Sequence, residues 1–366
     1  MRIGGTELYC RELSDALNQR GWQSVLAFEG NANVDVVTYL QSPNVTLETV
    51  PSMTSGGITT LVSLHRLIRI YRPEILHLHY TGFVTPFPWL ARLSGVRKVF
   101  LTNHASYPEG YRPRRTPEPK RTLAKMINAP VCGVVCPSGF GRRCLTETGI
   151  LSEQKYKLIY NGTQLEQLAN AHDRSKSFRT LYQIPSDRVV VTQVGQLIPE
   201  KGIEDLLSAF QQAAQIDDRL HLVLVGEGPM RRQYENMVAD WKLSNRVTFT
   251  GLVDNTAAAG VYEACDMFCL VSRWEELFGF VLVEAMTRSK PIVATRVGGI
   301  PEIVVDSETG YLVDRGDTHG IASRIVEFSE QQQLREKMGE AGRMRAAKLF
   351  DVKANVLDVI KFLGIN

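Results

Sequence analysis

The sequence predicts an α/β protein built on parallel sheets, and two patterns support this. Short runs rich in β-branched residues alternate with helix-like runs through nearly all of the 366 residues. The strand-like runs end in Gly, Ser or polar residues, and helix-like runs lie between them. Such alternation favours parallel sheets covered by helices on both faces. The chain length favours two domains.

The first half begins the series with SVLAFEG (24–30), which is predicted to be a strand. ITTLVSLHRLIRIYR (58–72) is predicted to be a helix because its apolar residues recur at helical spacing. FPWLARLSG (87–95) is predicted to be a second helix that ends at Gly95. The remaining strand-like runs in this half are EILHLHY, KVFLTNH and VCGVVCPS.

The second half repeats the alternation more regularly. Its strand-like runs are RVVVTQVGQL, LHLVLVGEG, RVTFTG, DMFCLVS and PIVATRVGG. Between the halves, NAHDRSKSFRTLYQIPSDR lacks apolar periodicity and is interpreted as a linker. We therefore expect a first domain at 1–165, a linker at 166–188, a second domain at 189–345 and a C-terminal apolar-striped segment at 346–366.

Composition excludes several classes of protein. The net charge of +3 is too small to indicate a nucleic-acid partner. The apolar runs have the length of strands, so no transmembrane helix is expected, and the first residues lack a signal-peptide core. The six cysteines show neither zinc nor redox spacing. Reduced thiols in a cytoplasmic protein are the expectation.

A cluster of basic residues lies in the Pro-rich stretch YRPRRTPEPKRTLAK. A solvated loop is the simplest interpretation, and an anionic acceptor or an acidic membrane surface is the alternative. The membrane alternative adds the inner face of the membrane to the cytoplasmic location. The cluster consists of Arg112, Arg114, Arg115, Lys120, Arg121 and Lys125.

Four glycine-containing loops follow strands in the second half, where ligands of parallel α/β sheets bind. VGQLIPEKG carries Lys201 before a helix, and VGEGPM carries Gly226. RVGGIPEIV and SRWEELFGF each lead into a further helix. Because the first amides of a helix lack partners, such loops can bind anions. Most glycine turns are only structural, but four of them together with Lys201 favour a bound phosphate.

The stretch EELFGFVLVEAM places Glu276 before a helix expected to start near Phe278, and Glu284 inside that helix. A buried carboxylate needs hydrogen-bond donors. Phosphate would repel both acids, whereas sugar hydroxyls can donate to them. A nucleotide sugar has phosphates that the loops can bind and hydroxyls that can donate to the two acids. The alternative is that both glutamates pair with arginines of the same region, namely Arg273, Arg288 or Arg296.

These motifs resemble family 4 of the retaining glycosyltransferases, over nearly the whole chain. EELFGFVLVEAM matches the family's Glu-x-Phe-Gly-x4-Glu signature, and VGQLIPEKG, LVGEGP, VTFTGLV and VGGIPEIV follow its pattern. GGTELYCRELSDALNQRG, LTNH and YNGTQ match in the first half. The resemblance implies the GT-B fold, with two Rossmann-like parallel-sheet domains facing a cleft. It also implies a C-terminal helix that crosses back to the first domain.

The resemblance further implies metal-independent, cofactor-free transfer of a hexosyl unit from a nucleotide diphosphate sugar to a hydroxyl acceptor, with retention of configuration. The acceptor could be a glycan, a lipid or a small molecule. The implied catalytic residues are His104, Glu276 and Lys201. The implied donor-binding residues are Gly4, Gly5, Gln196, Gly226, Val253, Phe278, Gly279, Phe280 and Glu284. A structural role for His104 is the alternative, since a lone His after a strand is commonly structural.

Two departures from the family pattern bear on activity. Gln196 stands where the family has Arg. A neutral amide therefore replaces the charged guanidinium group, which can bind phosphate through two parallel hydrogen bonds. Losing one such donor can cost about 10²–10³ in rate. In addition, the chain begins almost at the Gly4-Gly5 loop, where the family has a preceding central strand. Unpaired strand edges are expected there, and we expect a true start upstream of Met1, with a remodelled first domain as the alternative.

Three other functions remain as alternatives. The departures favour a nucleotide-sugar-binding protein with weak or no turnover. A nucleotide-sugar epimerase of the same fold differs from a transferase only in its independence of an acceptor. A nicotinamide dehydrogenase is disfavoured, because no GxGxxG follows a first strand. The sequence names neither the sugar, the base nor the acceptor.

Overall fold

The computed structural model describes residues 5–30, 34–51, 57–165, 174–256 and 258–365. The chain forms two compact units. The first unit combines Met1–Ala105, Arg112–Thr163 and Val352–Asn366, and the second combines Ser106–Tyr111 and Gln164–Asp351. None of the helices within the described ranges is both long and apolar enough to cross a membrane.

The first unit contains two parallel sheets. Strands β1 (Ser24–Glu29) and β2 (Val45–Val50) pair with each other. The second sheet has the order β3-β4-β5-β6, and its strands are β3 (Ile75–His79), β4 (Lys98–Thr102), β5 (Val131–Cys136) and β6 (Tyr156–Leu158). Among the described strands of this unit, β1, β2, β3 and β6 are the end strands of their sheets and each pairs on one side only.

Six helices of the first unit connect or flank these strands. They are α1 (Gly5–Asn18), α2 (Val34–Leu40), α3 (Ile58–Tyr71), α4 (Phe87–Leu93), α5 (Lys120–Ile127) and α6 (Gly139–Thr146). A 3₁₀ turn at Glu153–Lys155 precedes β6. Leu64 of α3 and Phe87 of α4 pack with Val99 of β4 on one face of the four-stranded sheet. This face is apolar because alternate strand residues point to the same side.

The second unit contains one parallel sheet of six strands in the order β12-β11-β10-β7-β8-β9. The strands are β7 (Val189–Val194), β8 (Leu220–Val225), β9 (Val247–Gly251), β10 (Met267–Leu270), β11 (Ile292–Thr295) and β12 (Gly310–Val313). The strand order reverses between β7 and β10. In doubly wound sheets a crevice opens at that point, beyond the carboxyl ends of the strands.

The helices of the second unit lie on both faces of this sheet. They are α7 (Ser175–Leu181), α8 (Ile203–Ile216), α9 (Arg231–Asp240), α10 (Val261–Ala264), α11 (Phe280–Thr287), α12 (Ile300–Ile303), α13 (Thr318–Glu330) and α14 (Gln332–Leu349). A 3₁₀ turn at Pro199–Lys201 precedes α8. The largest cluster packs α8 and α13 against the sheet, with Phe210 and Phe328 fully buried.

The final helix, α15 (Val352–Leu363), belongs to the first unit. Val356 and Ile360 pack with Leu13 of α1 on the sheet face opposite α3 and α4. Gly133 of β5 makes room for this helix, because a Cβ atom there would lie 2.3 Å from the ring of Phe362. The four-stranded sheet is thus covered on both faces.

Two predicted boundaries differ from the structure. The stretch 166–188 was interpreted as a linker, but it contains α7; residues 166–173 lie outside the described ranges. Phe178 and Ile184 of this stretch are buried beside Val190 of β7, and Tyr182 packs partly buried against the same cluster. Apolar periodicity did not reveal this packing because few side chains of the stretch take part in it. The predicted C-terminal segment 346–366 also begins inside α14, and the helix of the first unit starts only at Val352.

Candidate active site

The candidate site lies at the point of the second unit where the strand order reverses. The 3₁₀ turn after β7 carries Lys201, and the loop after β10 carries Glu276. Because β7 and β10 are neighbouring parallel strands, their carboxyl ends bring these loops together. Lys201 Nζ donates to Glu276 Oε1 at 2.5 Å, across 75 positions of sequence.

Glu276 is buried, with 8% of its surface exposed. Ser272 Oγ donates to the same oxygen, Oε1, at 2.5 Å. The carboxylate therefore has a cation and a hydroxyl as partners, which a buried charge requires. The alternative pairing with local arginines is wrong for both glutamates. Those arginines pair instead as Arg273 with Asp205, Arg288 with Glu263 and Arg296 with Asp306.

The backbone of Glu276 is fixed by a second loop. Gly298 has φ +54°, and a Cβ atom there would lie 2.1 Å from the carbonyl oxygen of Glu276. The amide of Gly299 donates to that oxygen at 2.7 Å. Glu275 adds a further link, because its carboxylate accepts from Gly298 N at 2.7 Å and pairs with Arg315. These contacts hold the Glu276 backbone against the loop after β11.

Glu275 and Arg315 are site-supporting residues that the sequence analysis missed. Glu275 is buried, with 9% of its surface exposed. The sequence analysis assigned a role only to the adjacent Glu276. A backbone bridge also joins it to Tyr107, with Glu275 N donating to Tyr107 O at 2.9 Å and Tyr107 N donating back at 3.1 Å. An acid doublet one residue before the Phe-Gly pair was the available signal for a second buried acid.

The helix that carries the second glutamate begins at Phe280, two residues later than expected. Gly279 precedes it with φ +117°, a conformation that favours glycine. Phe278 is buried and packs edge-to-face on Phe280 and Phe350. Its side chain therefore anchors the loop. The first amides of α11 lack intrahelical partners, which suits them to an anion.

Glu284 lies in the second turn of α11, and the hydroxyl of Tyr262 donates to its carboxylate. Burial raises the pKa of Glu284, and the hydrogen bond from Tyr262 partly opposes that rise. Tyr262 itself is fully buried on α10. Sequence analysis missed Tyr262, since a Tyr in a short apolar helix usually signals only packing. The structure makes it the partner that orients Glu284.

The glycine loops after β7 and β8 contact each other. A Cβ atom at Gly226 would lie 1.9 Å from the carbonyl oxygen of Gly195. One at Gly228 would lie 2.3 Å from that of Leu197. In the structure, both glycines allow close contact between two loops, because any side chain would separate them.

Gln196 is exposed at the tip of the first of these loops. Arg273, which could have compensated for the neutral Gln196, is held by Asp205 through Nε at 2.8 Å and Nη2 at 2.6 Å. Val253 follows β9 and packs, half-buried, against the small cluster around Phe178. Its side chain therefore has a packing role.

His104 follows β4 in the first unit, at the carboxyl end of that strand. A hydrogen bond of 2.9 Å links its Nε2 to Nδ1 of His79, and the ring of Tyr80 stacks on it at 4.4 Å. Burial lowers the pKa of His104 to about 4, so the imidazole is neutral at pH 7. Gly5 is the first residue of α1, and Gly4 lies outside the described residues.

The structure thus gathers Lys201, Glu276 and the start of α11 in one place, and it adds Ser272 and Glu275 to them. The first unit separately carries His104 with its histidine and tyrosine neighbours. Within the part of the chain that the structure describes, no group of three or more His, Cys, Asp or Glu side chains is arranged to hold a metal ion.

Two family models match the chain. A model described as "Glycosyl transferases group 1" matches residues 175–345, and one described as "Glycosyltransferase Family 4" matches residues 3–167. Together they account for most of both units. The chain belongs to this family of glycosyltransferases, as the motifs predicted.

Among curated relatives, N-acetyl-alpha-D-glucosaminyl L-malate synthase of Bacillus anthracis is 33% identical over 50% of this chain and 45% of its own. The chain spans about half the length of that relative and of another at 30% identity. Phosphatidyl-myo-inositol mannosyltransferase of Mycobacterium leprae is 25% identical over 93% of this chain and 87% of its own.

Among solved structures, the Anabaena protein HepE in complex with UDP-glucose superposes with a TM-score of 0.81. It is 20% identical and covers 99% of this chain and 96% of its own. At this identity the likeness concerns the fold alone. It confirms the predicted GT-B fold.

Proposed function

We propose that this protein transfers a hexosyl unit from a nucleotide diphosphate sugar to a hydroxyl acceptor, with retention of configuration. The observation that carries the proposal is the buried Lys201–Glu276 pair beside the first amides of α11. A cation, a carboxylate and a helix N-terminus in one place fit a ligand that combines phosphates with hydroxyls. The family membership supports the same reaction class.

In this proposal Lys201 and the helix amides bind the diphosphate. The charge that develops on the leaving diphosphate is stabilised there by fixed dipoles and one cation. Lys201 must then exchange its carboxylate partner for phosphate, which leaves Glu276 to accept hydrogen bonds from sugar hydroxyls. The glycosidic C–O bond to phosphate breaks, and the acceptor oxygen forms the new bond to the same carbon while its proton passes to the departing phosphate oxygen.

Glu284 has the complementary role in the proposal and accepts hydrogen bonds from the two ribose hydroxyls. Its carboxylate is desolvated and has Tyr262 as an oriented donor on one side. A carboxylate has capacity for further donors. UDP-glucose is the first donor to test, because the Anabaena relative was solved with it.

Nucleotide binding by isothermal titration calorimetry tests the donor site. We expect UDP or another nucleoside diphosphate to bind wild-type protein, and Glu284→Gln to weaken binding by about 10–100-fold. That range corresponds to losing about 1.5–3 kcal/mol for hydrogen bonds to a charged group. Glu308→Gln, at an exposed turn, is the matched control. Equal affinity in all three proteins contradicts the ribose role.

We further propose that turnover needs neither a metal nor a cofactor, because Lys201 and the α11 amides supply the positive charge. Turnover of UDP-glucose, followed by UDP release, should persist after dialysis against EDTA. A loss that Mg²⁺ or Mn²⁺ restores would contradict this part of the proposal and leave the transfer itself intact.

A second candidate function is nucleotide-sugar binding with weak turnover. It is favoured by one observation: Arg273 is held by Asp205, so Gln196 has no charged substitute from that residue. This candidate predicts tight UDP binding together with little release of UDP from UDP-glucose. Rapid, acceptor-dependent release would exclude both it and an epimerase, which consumes no acceptor.

We also propose that the first unit contacts anionic membrane lipids peripherally. Five basic side chains of the predicted cluster are exposed, whereas Arg121 is paired with Glu118 and its side chain is only 16% exposed. Leu123 and Met126 of α5 are 57% and 63% exposed beside them. Exposed apolar side chains flanked by cations suit the surface of an acidic bilayer. The five exposed cations are Arg112, Arg114, Arg115, Lys120 and Lys125.

Co-sedimentation with vesicles tests this contact. Wild-type protein should pellet with vesicles that contain phosphatidylglycerol and not with pure phosphatidylcholine. Arg114→Ser/Arg115→Ser should weaken the interaction by roughly 30-fold, since each of the two cations near the surface contributes about 1 kcal/mol. Arg66→Ser/Arg69→Ser, an equal charge change on α3, is the control. Equal losses in both variants would show that vesicle binding depends only on net charge, which would contradict a contact through this cluster.

A further inference from the structure

Three histidines of the first unit lie at the carboxyl ends of two neighbouring strands. His77 and His79 are on β3, and His104 follows β4 by two residues. In the parallel register of these strands, His79 is opposite Thr102, the last residue of β4. The imidazoles of His79 and His104 therefore meet just beyond the sheet. Of the three, only His104 has an implied role in the transfer.

A hydrogen bond joins two of these imidazoles. Nδ1 of His79 and Nε2 of His104 are 2.9 Å apart. Burial lowers the pKa of His104 to about 4 and the pKa of His79 well below its ordinary value, so both rings are neutral at pH 7. A neutral imidazole has one N–H and one acceptor nitrogen. One ring must donate and the other must accept, and each ring therefore fixes the tautomer of the other.

Aromatic neighbours fix the orientation of both rings. The ring of Tyr80 stacks on His104, with the centroids 4.4 Å apart and an interplanar angle of 20°. On the other side of the pair, the ring centroid of His77 lies 4.3 Å from that of His79. His77 is itself fixed, because its Nε2 is hydrogen-bonded to the hydroxyl of Thr102 at 2.7 Å. The pair is thus enclosed by two rings that limit its tilt.

This arrangement leaves one nitrogen of His104 for a ligand. Within the described ranges, the bond to His79 is the only hydrogen bond that His104 makes. Since that bond occupies Nε2, Nδ1 is the nitrogen that can contact another molecule. A histidine that only supported the fold would be expected to use both nitrogens. Here one nitrogen is unused beyond the strand ends, where ligands of parallel sheets bind.

We propose that His79 is a positioning residue for His104. Its Nδ1 holds Nε2 of His104, so that His104 keeps one tautomer and one ring orientation and presents Nδ1 to the substrate. This inference rests on the proposed transfer, because the catalytic role of His104 is implied by the family resemblance. His79 acts through His104 and does not itself touch the substrate.

Three substitutions of His79 separate its hydrogen bond from its bulk. His79→Leu removes the bond, His79→Asn places an amide near the position of Nδ1, and His79→Gln places an amide near the position of Nε2. His65→Leu is the matched control, because His65 is exposed on α3 and is hydrogen-bonded to Ser94 at 2.9 Å. The measurements are steady-state turnover of UDP-glucose and long-range ¹H–¹⁵N NMR of ¹⁵N-histidine-labelled full-length protein, with His104→Gln to assign the His104 signals.

We expect His79→Leu and His79→Gln to lower kcat by about 10–100-fold, because a small misplacement of a catalytic group is costly in rate. KM for UDP-glucose should change little, since the donor-binding groups of the second unit are untouched. His79→Asn should recover most of kcat, and His65→Leu should resemble wild type. The NMR spectra should show a single tautomer of His104 in wild type and in His79→Asn, and a mixture of tautomers in His79→Leu.

Three results would overturn the inference. They are equal kcat in His79→Asn and His79→Leu, wild-type kcat in His79→Leu, and a mixture of His104 tautomers in wild-type protein. If His79→Leu does not fold, the comparison of His79→Asn with His79→Gln decides in the same way. The NMR measurement needs no turnover. Absence of turnover in wild type would therefore count against the proposed transfer, while the tautomer of His104 would still show whether His79 positions it.

Discussion

Replacing Lys201 by Met tests the central ion pair, because Met keeps the length of the side chain and removes its charge. At 2.5 Å, the attraction between unit charges is about 7 kcal/mol for an effective dielectric constant of about 20. Desolvation of the buried Glu276 offsets several kcal/mol of this. Since 28% of the Lys201 side chain stays exposed, we expect a net contribution of about 2 kcal/mol.

The substitution should therefore lower the melting temperature by roughly 4–8 °C, at about 2–4 °C per kcal/mol for a domain of this size. Turnover of UDP-glucose should fall by about 10²–10³, the effect of removing one preorganised charge from a leaving group. Differential scanning fluorimetry and UDP release measure the two effects. Lys201→Met/Glu276→Gln should recover most of the stability and none of the turnover, because it removes both buried charges.

Two results would refute this reasoning. If Lys201→Met unfolds at the wild-type temperature, the pair contributes no net free energy to the folded state. If the double variant regains turnover, the charge of Lys201 is not needed by the leaving diphosphate. Lys201→Arg serves as the charge-preserving control and should retain stability better than the Met variant.

Three further predictions concern the same unit. Burial raises the pKa of Glu284 above its ordinary 4.5, so ionisation of this carboxyl destabilises the fold as pH rises through the raised pKa. Glu284→Gln should unfold at a higher temperature than wild type at pH 7 but not at pH 4, even though it loses nucleotide affinity, and a thermal scan at both values checks this. Gln196→Arg should raise turnover of UDP-glucose by up to about 10²-fold, because it adds a charged fork for phosphate; unchanged UDP release would show that this loop does not meet the donor. Gly298→Ala should lower the free energy of unfolding by at least about 1–2 kcal/mol for the left-handed backbone alone, and the added Cβ would also clash with the carbonyl of Glu276. Gly316→Ala is the control in a melting experiment, because its backbone is also left-handed but no atom lies within 4 Å of the added Cβ. The difference between the two variants isolates the clash.

The fold class followed from the sequence because strand and helix patterns are local. A run such as LHLVLV is mostly apolar whatever surrounds it, and in the structure it is β8, buried at every position. The stretch around α7 was misassigned for the corresponding reason. Its packing depends on Phe178 and Ile184 finding partners in β7 and α10, and local periodicity carries no information about those partners.

The segment Ser106–Tyr111 could not be assigned to its unit from the sequence either. It follows β4 in the chain, yet it belongs to the second unit. Reciprocal backbone hydrogen bonds between Tyr107 and Glu275 hold it there. Backbone pairing of this kind leaves no pattern in side chains, so a boundary drawn from composition could not have placed it.

By itself, the sequence determined the fold class, the family and the two acids of the motif, because each depends on residue types at short, fixed spacings. Only the tertiary structure decided which partner each acid has. Glu276 pairs with a lysine 75 positions away, and Glu284 accepts from Tyr262 of another helix. The physical reason is that a buried charge must find its donors in space, and the strand order that brings β7 beside β10 is what supplies them.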